Sequence, residues 1–256
     1  MVLFADEAFY AGDKRHAGTL KTLVTERAIM VTPKGIDSEM KANCLHLIMA
    51  SNEDWVVPAG RMERRFCVLD VGIEHQQDSD YFGKIEEKME DGGYESLLHF
   101  LLTYDLSGYE VRNLPKTAAL REQKVHSLTP MEGWWYHKLE EGKLLVESES
   151  WATTILCEAI TQDYVEYSQI YSVAQRRGTP TALGRFLKNK ACPWLKRSQT
   201  HGAVILGDRT LQRPYWYTFP ALEELREWWD EKFGTTHKWP KVEQKGQKEN
   251  QEQIPF

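Results

Sequence analysis

Val2-Leu3-Phe4-Ala5-Asp6-Glu7 is an apolar run that ends in two adjacent carboxylates. A run of this kind suits a strand buried on both faces, and the two acids then fall at its carboxyl end. Hydrolysis of a nucleotide needs that placement. One carboxylate stabilises Mg²⁺ through its water shell, and the other polarises the attacking water. Because any buried strand can end in acids, the pattern acquires meaning only from the segments downstream of Glu7.

Two more β-prone segments come next. Ala28 to Thr32 leads into the turn Pro33-Lys34-Gly35, and Cys44 to Ala50 ends in Ser51-Asn52. Near-continuous apolar runs of this length predict strands inside a parallel sheet. Chemistry in open α/β sheets collects at the carboxyl ends of strands, where Asp6, Glu7 and Asn52 all lie. Glu63-Arg64-Arg65 then leads into a further apolar run, Phe66 to Val71.

Four elements of this stretch, Ala5-Asp6-Glu7-Ala8, Thr32-Pro33-Lys34-Gly35, Ile48 to Trp55 and Glu63-Arg64-Arg65-Phe66, resemble the second half of the ATPase domain of superfamily 3 helicases. More narrowly, the order and spacing are similar to phage and poxvirus-type primase-helicases, including the NrS-1 polymerase type. The resemblance implies an incomplete P-loop (AAA+-like) ATPase core over residues 1–75, with ATP and Mg²⁺ as cofactors of the complete protein. It makes Asp6 and Glu7 the Walker B pair, Asp6 holding Mg²⁺ through water, and Asn52 the sensor of the attacking water or γ-phosphate. A neutral amide suits that role because it both donates and accepts. Arg64 becomes the arginine finger reaching into a neighbouring subunit, with Arg65 as the alternative. Such a finger is worth roughly 10³–10⁵ in rate. Lys34 would sit at a hairpin tip in the channel of a homo-oligomeric ring, gripping a phosphate of single-stranded DNA. Lys14, Arg15 and Lys21 lie close enough in sequence to assist with phosphate or DNA. Each of these cations also has an ordinary reading, as an exposed turn, helix-face or strand-flanking residue.

The sequence departs from that family in one respect. No G-x-x-x-x-G-K-[ST] loop is present: Gly83-Lys84 and Gly142-Lys143 lack both the earlier glycine and the following Ser or Thr. The expectation is a piece of a longer protein or a truncated reading frame, unable by itself to turn over ATP.

Composition sets the remaining bounds. The 256 residues suffice for two small domains and a linker, and the 41% hydrophobic content suits a folded chain. No apolar run approaches the roughly 18 residues of a membrane span and no cleavable signal opens the chain, so a cytoplasmic place, in a bacterial host or a virus-infected cell, is expected, with no membrane partner. Cys44, Cys67, Cys157 and Cys192 form no C-x-x-C pair, which disfavours zinc and predicts buried thiols. The net charge is −6, yet nine Lys or Arg face a single acid, Asp208, between Arg176 and Pro214. A basic stripe in an acidic chain points to DNA more usefully than the total does.

Beyond the first 75 residues, Asp78 to Asn113 reads as amphipathic helix broken at Gly92-Gly93, and Lys116 to Leu128 as another helix; residues 76–150 are expected to form a helical linker or lid. Trp134-Trp135-Tyr136 could stack bases or serve packing. Residues 151–234 read as a winged-helix domain: a long helix from Ile155 to Arg177, a second from Ala182 to Lys190, a hairpin, and a closing helix from Ala221 to Phe233. The overall class is therefore α/β plus α+β. Arg185, Lys188, Lys190, Lys196, Arg197, Arg209 and Arg213 are the candidate DNA contacts of that domain, one helix entering the major groove of duplex DNA and the hairpin touching backbone. Residues 235–256 are polar and expected to be a disordered tail. The leading reading is the C-terminal portion of a phage or prophage replicative DNA helicase (primase-helicase). The alternative is a non-catalytic DNA-binding or assembly module from a split or decayed helicase gene. A metal-dependent nuclease using Asp6 and Glu7 is a weaker third.

Overall fold

The computed structural model describes residues 1–7, 14–32, 34–35, 37–110, 113–170, 180–234 and 237–241. The chain divides into two compact units, Met1–Ala59 with Glu63–Gln123, and Gly60–Met62 with Lys124–Phe256.

The first unit runs β1 (Val2–Ala5), α1 (Lys14–Thr25), β2 (Ala28–Val31), β3 (Glu39–Ala42) and β4 (His46–Met49). β1 and β4 pair in parallel, Leu3 opposite Leu47 and Ala5 opposite Met49. Burial on both faces is not found: Val2, Phe4 and Ile48 are 63%, 58% and 55% exposed, because among the described residues this sheet has two strands only. β2 does not join it. It pairs antiparallel with β3, since the polar connection between them closes a hairpin whose neck is held by a 2.7 Å hydrogen bond between the Thr32 and Ser38 hydroxyls. Asn43 then fixes the hairpin to its neighbours, its Nδ2 donating to the carbonyls of Leu23 and Glu26 and its Oδ1 accepting from Leu45 N–H. Phe66 to Val71 forms no strand either. Phe66 joins a small core with Val57, Ala59 and Leu120, and Thr117 Oγ1 takes up the Val68 carbonyl at 2.5 Å.

Next come α2 (Ser79–Lys88) and α3 (Tyr94–Thr103). Asp78 starts α2 by accepting from Tyr81 N–H, a side-chain cap of the expected kind. A π turn with Gly92 at φ 81° separates the helices. The helix predicted to reach Asn113 ends at Thr103, and residues 111–112 lie outside the described residues. Neither helix has a buried residue; Leu97, Leu98, Phe100, Leu101 and Leu102 are all exposed. α4 (Ala118–His126) follows, and its Gln123 accepts from Val56 and Val57 N–H while donating to the Asp54 carbonyl.

The second unit holds α5 (Pro130–Glu141), β5 (Thr154–Leu156), α6 (Cys157–Ile170), α7 (Pro180–Phe186), β6 (Lys196–Gln199), β7 (Ala203–Leu206), β8 (Arg209–Gln212), β9 (Tyr215–Thr218) and α8 (Leu222–Phe233). Ile155, expected in the long helix, lies instead in β5 against Tyr217. The rest of that helix beyond Ile170 lies outside the described residues. The sheet order is β5-β9-β6, all antiparallel. Thr200 N–H to Pro214 and Arg213 N–H to Gly202 bridge the gap between the β6–β9 pairing and the β7–β8 hairpin, so residues 196–218 make one long ribbon. Trp134 and Trp135 are fully buried with Leu139, Ile160, Leu225 and Trp229; they are core, and the base-stacking option falls for both. Residues 237–241 are not a loose tail: Trp239 Nε1 donates to Asp230 and Arg226 reaches the Pro240 carbonyl. Residues 242–256 lie outside the described residues. Cys44 and Cys67 are exposed against expectation, while burial pushes the Cys192 thiol up to about 11.

At the centre of this unit Asp163 accepts from Trp134 Nε1 and Lys138 Nζ, each at 2.8 Å, and from Val146 N–H at 3.3 Å. Removing one partner of a buried pair strands the other charge, at a cost of about 3–5 kcal/mol. Asp163→Ala is therefore expected to lower the urea-unfolding free energy by about that amount, and adding Lys138→Met to recover part of it.

Glu132 closes a capping box with Thr129 and meets Arg61 Nη2 at 2.6 Å. Burial pulls its pKa up, but the Thr129 hydrogen bonds and the Arg61 and Lys190 charges outweigh that, leaving it below the ordinary value. A lowered pKa contributes stability that is complete above the unfolded value, about 4.3, and is lost as the pH falls through the folded one. Glu132→Gln should thus be destabilised at neutral pH, and its deficit relative to the native chain should shrink below about pH 4 in acid-unfolding curves.

Candidate functional site

The parallel pairing of β1 with β4 brings two loops together. Ala50 N–H donates to the Ala5 carbonyl at 3.0 Å, so the chain leaving β1 as Asp6-Glu7 starts beside the chain leaving β4 as Ser51-Asn52. Asp6, Glu7 and Asn52 are exposed. Asp6 Oδ1 accepts Glu7 N–H at 3.0 Å, and Glu7 sits at φ 51°, a left-handed turn unusual for a residue with a side chain. Neither acid pairs with a Lys or Arg among the described residues. Two adjacent exposed carboxylates suit a hydrated hard cation that keeps most of its waters. They do not amount to a protein-enclosed metal site, and no group of three or more His, Cys, Asp or Glu suited to a metal occurs among the described residues.

Lys34 is exposed in the β2–β3 connection next to Gly35, at φ 77°. Arg64 and Arg65 separate physically. Both backbone N–H groups donate to the buried Glu63 carboxylate, but only Arg65 turns its guanidinium back to it, at 3.5 Å. Arg64 stays exposed and makes no ion pair among the described residues. Lys21 is half-buried, and the side chains of Lys14 and Arg15 lie outside the described residues.

In the second unit the basic stripe is sorted by the fold. Arg185 and Lys188 from α7 and the turn after it, Arg197 from β6 and Arg209 from β8 line one cleft of 760 Å³. Lys190 lies instead 4.0 Å from Glu132, and Lys196 and Arg213 are exposed on the ribbon outside the cleft. Sequence pattern does not disclose the cleft's neutral wall, Thr161 and Gln162 on α6, Thr181 on α7, and Tyr217 on β9. A partial signal exists: Glu158, Thr161 and Gln162 share a helical face. Arg197 stacks 3.8 Å from the Tyr215 ring centroid, and burial raises the pKa of the Cys157 thiol although the neighbouring Arg197 opposes it. Burial raises the Tyr217 phenol as well, so both remain protonated donors at neutral pH.

Residues 1–65 match a family of unknown function, DUF5906. No curated protein matches the sequence. A solved structure described as the apo structure of the NrS-1 C terminal region (305-718) is similar, with 14% identity and a TM-score of 0.56 over 85% of this chain. The chain spans 55% of that structure. At this identity the likeness concerns fold, a mixed α/β architecture of small sheets and helices.

Cleft width is set at Gly184, where an added Cβ would lie 2.6 Å from the Tyr217 hydroxyl. Gly184→Ala should cost about 1–3 kcal/mol by chemical denaturation, and Tyr217→Phe in the same chain should restore most of the loss.

Proposed function

We propose that this chain is the C-terminal portion of a phage or prophage replicative DNA helicase of the primase-helicase type, working in the cytoplasm of a bacterial host or infected cell. The observation that carries this reading is the parallel β1–β4 pairing, which sets Asp6-Glu7 beside Ser51-Asn52 at the carboxyl ends of adjacent strands. Its fold likeness to the NrS-1 C-terminal region and the four sequence elements of residues 2–71 support it. In this reading Glu7 polarises the attacking water, Asp6 holds hydrated Mg²⁺, and Asn52 senses water or phosphate. Bound Mg²⁺ offsets the triphosphate's developing charge. Arg64, exposed and unpaired among the described residues, is the finger for a neighbouring subunit of a ring; Arg65, held to Glu63, braces it. Lys34 on its hairpin contacts single-stranded DNA.

The second unit serves as the DNA-binding module. The order α5, β5, α6, α7, then a ribbon, with sheet order β5-β9-β6, supports a winged-helix reading in which α5 supplies the first helix. In this reading the module, expected from residue 151 on sequence grounds, would begin nearer residue 130, and residues 1–75 are the ATPase part. Arg185, Lys188, Lys190, Lys196, Arg197, Arg209 and Arg213 supply its cationic surface.

The 256 residues alone are expected to bind DNA but to release no phosphate from Mg-ATP, since they contain no phosphate-cradling loop. Fused behind a polypeptide that carries one, they should hydrolyse ATP, and Glu7→Gln should cut turnover by about 10²-fold or more. Arg64→Ala should cut it by roughly 10³-fold while leaving the unfolding midpoint unchanged. Steady phosphate release by the 256 residues alone, abolished by Glu7→Gln, would contradict the reading. A fusion that binds DNA without turnover would identify the non-catalytic module instead.

A further inference from the structure

We infer that the cleft between α6, α7 and the β6–β9 ribbon binds a short run of single-stranded phosphodiester backbone, two or more phosphates long, rather than seating α7 in the groove of a duplex. The inference rests on the nucleic-acid part of the proposed function and not on its ATPase part.

Charge gives the ligand class. Arg185, Lys188, Arg197 and Arg209 converge on the cleft, with Glu158 its one carboxylate. None of the four makes an ion pair with a carboxylate among the described residues. Four cations held near one another repel, and a polyanion relieves that repulsion while releasing its own counterions. Four donors exceed what one phosphate monoester needs, and the 760 Å³ of the cleft lies in the range of pockets that enclose a small ligand rather than a flat contact.

Geometry separates single strand from duplex. An inserted helix must present its polar side chains outward to base edges across a groove about 12 Å wide. Here Arg185 and Lys188 turn toward the ribbon, into the same concavity as Arg197 and Arg209. Rigidity points the same way. Arg197 stacks on the Tyr215 ring, and the Gly184–Tyr217 approach holds α7 against the sheet. The neutral lining adds orientation: Thr181 and the protonated Tyr217 face the cleft as donors for non-bridging oxygens, and Glu158 as an acceptor for a base N–H.

The test uses the full chain and a fluorescent oligothymidine, with affinity read by anisotropy across a KCl series. The native chain should bind the single strand more tightly than a duplex of equal length. Lys188→Ala and Arg209→Ala should each weaken single-strand binding about tenfold and reduce the magnitude of the salt slope by about 0.7. Lys84→Ala, an equal loss of charge on α2 in the other unit, should change neither. Arg197→Ala is expected to behave like the first two if its thermal midpoint is retained. A free nucleotide offers the same phosphate chemistry, so ATP and tripolyphosphate serve as competitors. Displacement by ATP at concentrations where tripolyphosphate has no effect would assign the cleft to free nucleotide and overturn the strand assignment. Duplex binding as tight as single-strand binding would overturn it, as would Lys188→Ala and Arg209→Ala variants indistinguishable from Lys84→Ala. Loss of phosphate release in Glu7→Gln bears on none of these readouts.

Discussion

A single buried carboxylate organises the larger unit. Asp163 draws Trp134 and Lys138 of α5, the Val146 backbone and its own helix α6 to one point, and a buried charge is tolerable only when its hydrogen-bonding capacity is so fully used. Both tryptophans of α5 then pack inward, with Trp135 stacked on Phe219 at 5.5 Å, which ties α5 to the end of the ribbon. Arg226 of α8 closes the other side by donating to the Leu139 carbonyl through Nε and Nη2. The positions of α6 and the ribbon, and so of every cation in the cleft, descend from this arrangement.

The smaller unit is built differently. Among the described residues its core cluster has four buried apolar members, too few to specify loop paths by packing, so side-chain amides and a carboxylate do that work. Asn43, Gln123 and Glu63 each satisfy two or more backbone groups in a connection. These polar braces set where Asn52 and Arg64 leave the fold. The candidate chemistry therefore sits on loops braced by hydrogen bonds over a two-stranded sheet, while the cationic cleft sits on a rigid core.

Sequence pattern foresaw β1, β4, the Lys34 turn and α8 because each is a local signal: an apolar run, a turn peptide or a helical period. It failed where tertiary partners decide. Phe66 to Val71 has strand composition but finds no strand to pair with, and Ile155 has helical neighbours but is captured by Tyr217 across the sheet. The basic stripe was visible as composition, yet its partition was not. Whether Lys190 or Arg197 faces the cleft depends on the side of α7 or of the ribbon to which the core turns each one. Trp134 and Trp135 could not be assigned to core from spacing, since adjacent residues share no helical face; their burial follows from Asp163, which is 29 positions from Trp134.

Helices α2 and α3 carry a different consequence. A helix that offers water Leu97, Leu98, Phe100, Leu101 and Leu102 leaves its solvation penalty standing, at about 25 cal/mol for each Å² of apolar surface. Exposed surface of this size is an aggregation liability. Conditions that strengthen apolar association, such as high concentrations of sulfate, are therefore expected to act on the purified chain first through these two helices, despite its net charge of −6.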